Sequence, residues 1–203
     1  MSSIAEVRPG LYRWEARHPE ADPSPDPGSP ADWGPDVGSV AYAAGDALVL
    51  VDPLVPEERN DLQRELDALV ESHAQPVVIL TTLAFHRRSR DPLANRYRAS
   101  TSRAKASLPS TVETIQIKGA GETMVWLPDH RALVPGDRLL GDDAGGVRLC
   151  PESWLRYLPS GMKHAELREA LRPLLDFPVE MVLVSHGAPV LFGGREAIAR
   201  ALS

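Results

Sequence analysis

Three side chains able to bind a metal or move a proton follow closely on apolar runs in this sequence. His86 comes after Val77, Val78, Ile79 and Leu80, with Thr81, Thr82, Leu83, Ala84 and Phe85 between. Asp137 follows Gly136 just beyond an apolar run at residues 132–134, and His186 follows Ser185 after Val182, Leu183 and Val184. If those runs are buried strands, His86, Asp137 and His186 lie on loops at one end of a sheet, where sites on α/β folds usually form. Two imidazoles and a carboxylate with open positions suit one zinc or non-haem ferrous ion. Such an ion lowers the pKa of its water toward ~7 and polarises a carbonyl or phosphoryl oxygen. Each residue also has an ordinary reading. Asp137 after glycine can close a turn on local backbone, and His86 and His186 can be satisfied loop histidines. Ser185 is no nucleophile candidate, because neighbours on an extended chain point to opposite faces.

The elements that must position these residues can be read from pattern. Residues 11–16 alternate and predict a first strand. Residues 39–42 and 47–51 flank Gly45 and Asp46 and predict a hairpin whose second strand, apolar throughout, is covered on both faces. Pro56, Glu57 and Glu58 predict a helix start, and Leu62, Leu66, Leu69 and Val70 give that helix one buried stripe. Residues 77–80 read as another covered strand and 91–97 as a short helix. Strand, helix and strand in that order imply a right-handed crossover and a parallel or mixed sheet. Farther on, residues 111–117 alternate, and 123–127 pair with 131–134 across Pro128, Asp129 and His130. A second helix carries Leu167, Ala170, Leu171, Leu174 and Leu175, with its last turn bent or ended by Pro173. Residues 181–184 predict the last buried strand and 195–202 a closing helix. Residues 19–38 hold no period and predict a loop, either disordered or a lid; Trp33 favours the lid, since an aromatic can anchor a loop. Residues 150–160 are irregular.

A chain of 203 residues can bury a full core as one domain spanning 1–203. Its apolar fraction of 43% and charged fraction of 25% are those of a soluble globular protein. A net charge of −6 argues against nucleic acid as a partner. The single cysteine, Cys150, excludes an intrachain disulfide and a thiolate cluster and makes a reducing cytoplasm the simplest compartment. The N-terminal residues lack a signal-peptide pattern, and no stretch is long enough to span a membrane. His18, His73, His130 and His164 read as surface or turn residues, and Trp14, Trp126 and Trp154 as core or groove-wall packing.

The order of elements, with Asp137 and His186 after strands, resembles the metallo-β-lactamase superfamily over residues 8–202. The segment from Trp126 to Asp137 is its most specific piece and is similar to the family hairpin that leads to a bridging aspartate. The resemblance implies a four-layer αβ/βα sandwich of two mixed β-sheets flanked by helices. It also implies a groove at the sheet edges where zinc or iron hydrolyses esters, thioesters, lactones, amides or phosphodiesters. By that resemblance Asp137 is the bridging aspartate, His186 the final histidine, and Asp52 an aspartate that supports the site from behind. The chain departs from the pattern elsewhere. Thr82 and Ala84 stand where two alternating histidines are expected, His86 where the aspartate is, and Arg87 where the next histidine is. No histidine lies near Lys118, Gly119, Ala120 and Gly121.

Two readings follow. In one, a depleted centre of His86, Asp137 and His186 holds one zinc or iron ion, with Arg87 or Lys118 steadying a developing oxyanion. In the other, one of Arg87, Arg88 and Lys118, about 4 Å from Asp137, replaces the metal charge, worth ~4 kcal/mol at an effective dielectric near 20, and the groove binds a small anion without catalysis. Both take a small-molecule substrate or ligand, and the hairpin edges make a homodimer reasonable.

Overall fold

The apolar runs assemble into two mixed sheets. The structure, a computed structural model, describes residues 3–26, 29–101 and 108–203. The first sheet has the order β1 (Ala5–Arg8), β2 (Leu11–Arg17), β3 (Asp36–Ala43), β4 (Leu48–Val51) and β5 (Val77–Leu80). Its first three pairings are antiparallel, and β4 pairs parallel with β5. Helix α1 (Asn60–His73) makes the crossover between β4 and β5. It buries Leu62 and Leu66 and ends at Ala74, which adopts a left-handed φ of 52°. Pro56 forms a turn of its own before this helix, which begins at Asn60 and not at the proline. Helix α2 (Arg90–Tyr97) follows β5 and buries Leu93.

The second sheet repeats the plan with strands β6 (Glu113–Ile117), β7 (Glu122–Leu127), β8 (Ala132–Val134) and, after a small two-stranded ribbon of β9 (Leu139–Gly141) and β10 (Val147–Leu149), β11 (Met181–Val182). β6, β7 and β8 are antiparallel, and β11 lies parallel to β8. The last strand is shorter than its apolar run because the chain turns to pair Val182 with Val190; even so, Leu183 N–H reaches Leu133 O at 2.8 Å. Helix α3 (Glu152–Leu155) interrupts the stretch that shows no pattern in sequence. Helix α4 (His164–Leu171) gives way at Pro173 to a tighter 3-10 turn over residues 172–176, and α5 (Gly194–Ala201) closes the chain.

Three apolar clusters define the layers. Val40, Val49, Val51, Leu80, Val125, Leu127, Val134 and Leu183 meet between the two sheets. The outer face of the first sheet packs on α1 and α2 through Leu48, Leu50, Ile79, Leu62, Leu66 and Leu93. The outer face of the second packs on α4 and α5 through Met124, Leu133, Leu167, Leu171 and Ile198. The result is helix, sheet, sheet, helix. Covering both faces of each sheet explains why β4 and β5 carry no polar residue. Among the described residues no helix is long and apolar enough to cross a membrane.

Candidate metal centre

His86, Asp137 and His186 come together at one end of the sheets. After β5 the chain makes a 3-10 turn, Ala84–Arg87, in which His86 is buried. Asp137 lies two residues past Pro135, on a turn gripped by Glu122 of β7. One carboxylate oxygen of Glu122 accepts Gly136 N–H at 3.0 Å, and the other accepts those of Asp137 and Arg138 at 2.8 and 3.0 Å. Gly136 is required by close approach: a Cβ there would stand 2.6 Å from Thr82 Oγ1 and 2.8 Å from Leu83 Cδ1. His186 sits in the loop after β11, anchored at both sides. Ser185 O accepts Gly38 N–H at 2.7 Å, and His186 O accepts Gly141 N–H at 2.9 Å.

The geometry around Asp137 is that of a donor set. Its Oδ1 lies 3.0 Å from His86 Nε2 and 3.3 Å from His186 Nε2, and one ligand atom from each residue falls within 4.8 Å of the others. Four donors at zinc bond lengths of ~2.0–2.1 Å lie about 3.3 Å apart in a tetrahedron; the two separations from Asp137 Oδ1 are near that value, and the two imidazoles would have to draw together to share one ion. Asp137 Oδ1 is buried and, among the described residues, has only these two imidazole nitrogens facing it, neither in well-directed hydrogen-bond geometry. A buried carboxylate oxygen in that condition calls for an ion or a proton. The other face of His86 supports the same use. Its Nδ1 donates to Asp52 Oδ2 at 2.8 Å, which leaves Nε2 as the free lone pair. Asp52 in turn accepts Thr82 N–H at 2.8 Å and the Thr82 hydroxyl. Without an ion, burial pulls the His86 imidazole down, but Asp137 and Asp52 more than offset this and raise it to about 9. Burial opposes ionisation of Asp137, yet His86 and His186 hold its carboxyl well below the usual range. Glu122 is pushed up to about 7 by burial, against the pull of Arg138 and its backbone donors.

Of the cations expected near Asp137, Arg88 lines the cavity and Arg87 and Lys118 do not. Arg87 and Lys118 are exposed and line no part of the cavity, and among the described residues no arginine or lysine nitrogen stands within 4.0 Å of the Asp137 carboxylate. In the turn after Leu83, Arg88 takes a positive φ of 39° and it is this side chain, not that of Arg87, that lies inward. The Arg88 guanidinium donates to Gly38 O and Asp52 O, both at 2.9 Å, and to Ser185 Oγ. It thus ties β3, β4 and the His186 loop together.

The centre opens into a cavity of 370 Å3. Its walls include residues whose part could not be read from pattern. His18 is no plain surface histidine: it lines this cavity, edge-on to Trp33 at a centroid distance of 5.2 Å. Trp33 and Trp154 stand edge-on to His186 at 5.6 and 5.7 Å, and both line the cavity wall. Pro27 and Gly28 of the 19–38 segment lie outside the described residues, and residues 36–38 already belong to β3. Cys150 is fully buried, with its thiol pushed up to about 11.

No protein-family model and no curated protein matches the sequence. Solved structures do. A metallo-β-lactamase from Erythrobacter litoralis, crystallised with β-mercaptoethanol in its active site, superposes with a TM-score of 0.62 at 19% identity, covering 98% of this chain and 93% of that one. The chain has the metallo-β-lactamase fold. A mono-zinc form of an NDM_FIM-1-like enzyme from the same organism gives a TM-score of 0.62 at 18% identity, covering 98% and 94% of the two chains. The mono-zinc FIM-1 enzyme from Pseudomonas aeruginosa gives 0.62 at 13% identity, covering 98% and 93%.

Proposed function

We propose that this chain holds one divalent ion, zinc or ferrous iron, through His86 Nε2, Asp137 Oδ1 and His186 Nε2. It would hydrolyse an ester, lactone or related bond of a small molecule entering the cavity. The reading is carried by the buried Asp137 Oδ1, which faces two imidazole nitrogens at 3.0 and 3.3 Å without a directed hydrogen bond. Bound there, the ion would supply a water of lowered pKa and a Lewis acid. The chain's own residues do the positioning. Asp52 keeps a proton on His86 Nδ1 and fixes the ring. Glu122 sets the turn that presents Asp137. Trp33 and Trp154 hold the His186 ring and keep bulk water from it. This reading assigns no step to Arg87 and Lys118, which are exposed and do not line the cavity. Elemental analysis of protein purified without chelators tests the reading: about one zinc or iron per chain, lost in His186→Ala, supports it. Absence of metal, together with no uptake on zinc titration, overturns it.

One observation favours a second reading. The His86 imidazole, raised to about 9, can carry a proton between Asp52 and Asp137 and so fill the ion's place. The chain would then be a metal-free small-molecule or anion-binding or interaction protein on the same fold, with His86 and Arg88 as its cationic groups.

A further inference from the structure

The cavity's chemistry bears on what can enter it. Its walls are largely apolar: Trp33, Trp154, Phe85, Tyr157 and Leu158 line it, with Phe85 79% and Tyr157 60% exposed at its edge. Large exposed aromatics at a cavity mouth are unusual unless something covers them. The charged groups around it are already matched or negative. Arg88 spends its guanidinium on two backbone carbonyls and a hydroxyl and lies in the field of Asp52 and Asp137. Arg138 is buried, donates from Nε to Ala120 O at 2.9 Å and faces Glu122. Glu20 adds a carboxylate to the lining. In the lining, the cations His86, Arg88 and Arg138 stand against the carboxylates Asp137 and Glu20, and His86 is already paired with Asp52 and Asp137, so the walls call for no net charge on a ligand.

What the cavity does offer is neutral donors. Trp154 is buried, lines the cavity, and its Nε1–H has no partner among the described residues. His18 Nδ1 accepts Glu20 N–H at 3.2 Å, which leaves the ring proton on Nε2 as a donor in the cavity wall. A buried donor without an acceptor costs about 1–3 kcal/mol, a cost that a ligand oxygen removes. The volume of 370 Å3 is at the small end of ligand sites, which run from ~300 to 1,000 Å3.

We infer that the cavity selects a small uncharged ligand with an aromatic or bulky aliphatic group seated among Trp33, Trp154 and Tyr157 and a carbonyl oxygen held by Trp154 Nε1–H and His18. The inference rests on the hydrolase reading only for naming that ligand an ester or lactone; the binding preference stands on the walls alone. Three compounds of one shape test it: phenylacetamide, phenylacetate and phenylacetamidine, which at pH 7 are neutral, anionic and cationic. Dissociation constants come from chemical-shift titration of the purified full chain. The expected result is that phenylacetamide binds at least tenfold tighter than either charged analogue. Trp154→Phe, which keeps the wall and removes the donor, weakens it about fivefold, and Trp33→Ala about tenfold. Equal or tighter binding of phenylacetate or phenylacetamidine overturns the inference, as does failure of all three to bind. Zinc content is measured on the same samples. Selective amide binding by protein that takes up no zinc sinks the hydrolase reading and leaves this inference standing. A zinc-loaded protein that binds phenylacetate best does the reverse.

Discussion

The two histidines of the centre are held by different physics. His86 is wired: its Nδ1 bonds Asp52, which is itself held by Thr82, and the ring is buried at the end of a covered parallel strand. His186 is mainly packed. Its Nδ1 is buried without a partner among the described residues, its Nε2 faces Asp137, and its ring is placed by two indoles standing edge-on. A hydrogen bond to a carboxylate fixes both tautomer and angle, whereas aromatic packing limits rotation and leaves the proton's position open. The first half of the chain therefore presents a prepared ligand. The second presents one that an incoming ion, or a ligand acceptor, must finish orienting.

Variants can break this contrast. Asp137→Ala should have the largest effect, since it removes the group both histidines face. Zinc uptake should disappear in a chelator competition, and the His86 imidazole, left with Asp52 as its one carboxylate, should titrate lower in the ion-free protein, read by NMR. Asp52→Asn should come next, lowering zinc affinity about 10–100-fold by removing the support that only His86 has. If it costs no more than Trp154→Phe, the difference between the two histidines is not real. Glu122→Gln places an NH2 group against backbone donors; a loss of about 1–3 kcal/mol in unfolding is expected, read by the urea midpoint. The pH dependence of the ion-free protein probes the same groups without a substitution. The His86 value of about 9 lies above the ordinary 6.5. Its contribution is therefore complete below pH ~6.5 and is lost as pH rises through about 9. Glu122, raised to about 7 from 4.5, adds a decline in the same direction at lower pH. Asp137, held low, acts oppositely and loses its contribution only as acid protonates it. A midpoint-against-pH curve should fall on the alkaline side, and Asp137→Asn should flatten it.

Much of this was legible in the residues. The runs ending near His86, Asp137 and His186 are apolar because their strands are covered on both faces, so strand ends and ligand candidates read together. The supporting parts were not legible, because they depend on contacts distant in sequence. Glu122 opens a strand like any polar residue, yet it reaches 14 to 16 positions ahead to grip a turn. Arg87, Arg88 and Lys118 could all be placed near the site from sequence, but not which of them turns inward, since that depends on the turn at Arg88 with its positive φ. His18 and Trp33 lie in a segment without period. The ribbon of β9 and β10 is three residues to a strand, too short for alternation to register.

The loop bearing His186 is moored to the opposite sheet, by Ser185 O on Gly38 N–H and by Arg88 on the Ser185 hydroxyl. Neither half of the polypeptide could therefore display the full trio by itself, since the last member reaches its post only when the sheets have docked. Ion capture would then act as a late latch on the native state, slowing global opening and lengthening the protein's lifetime against proteases.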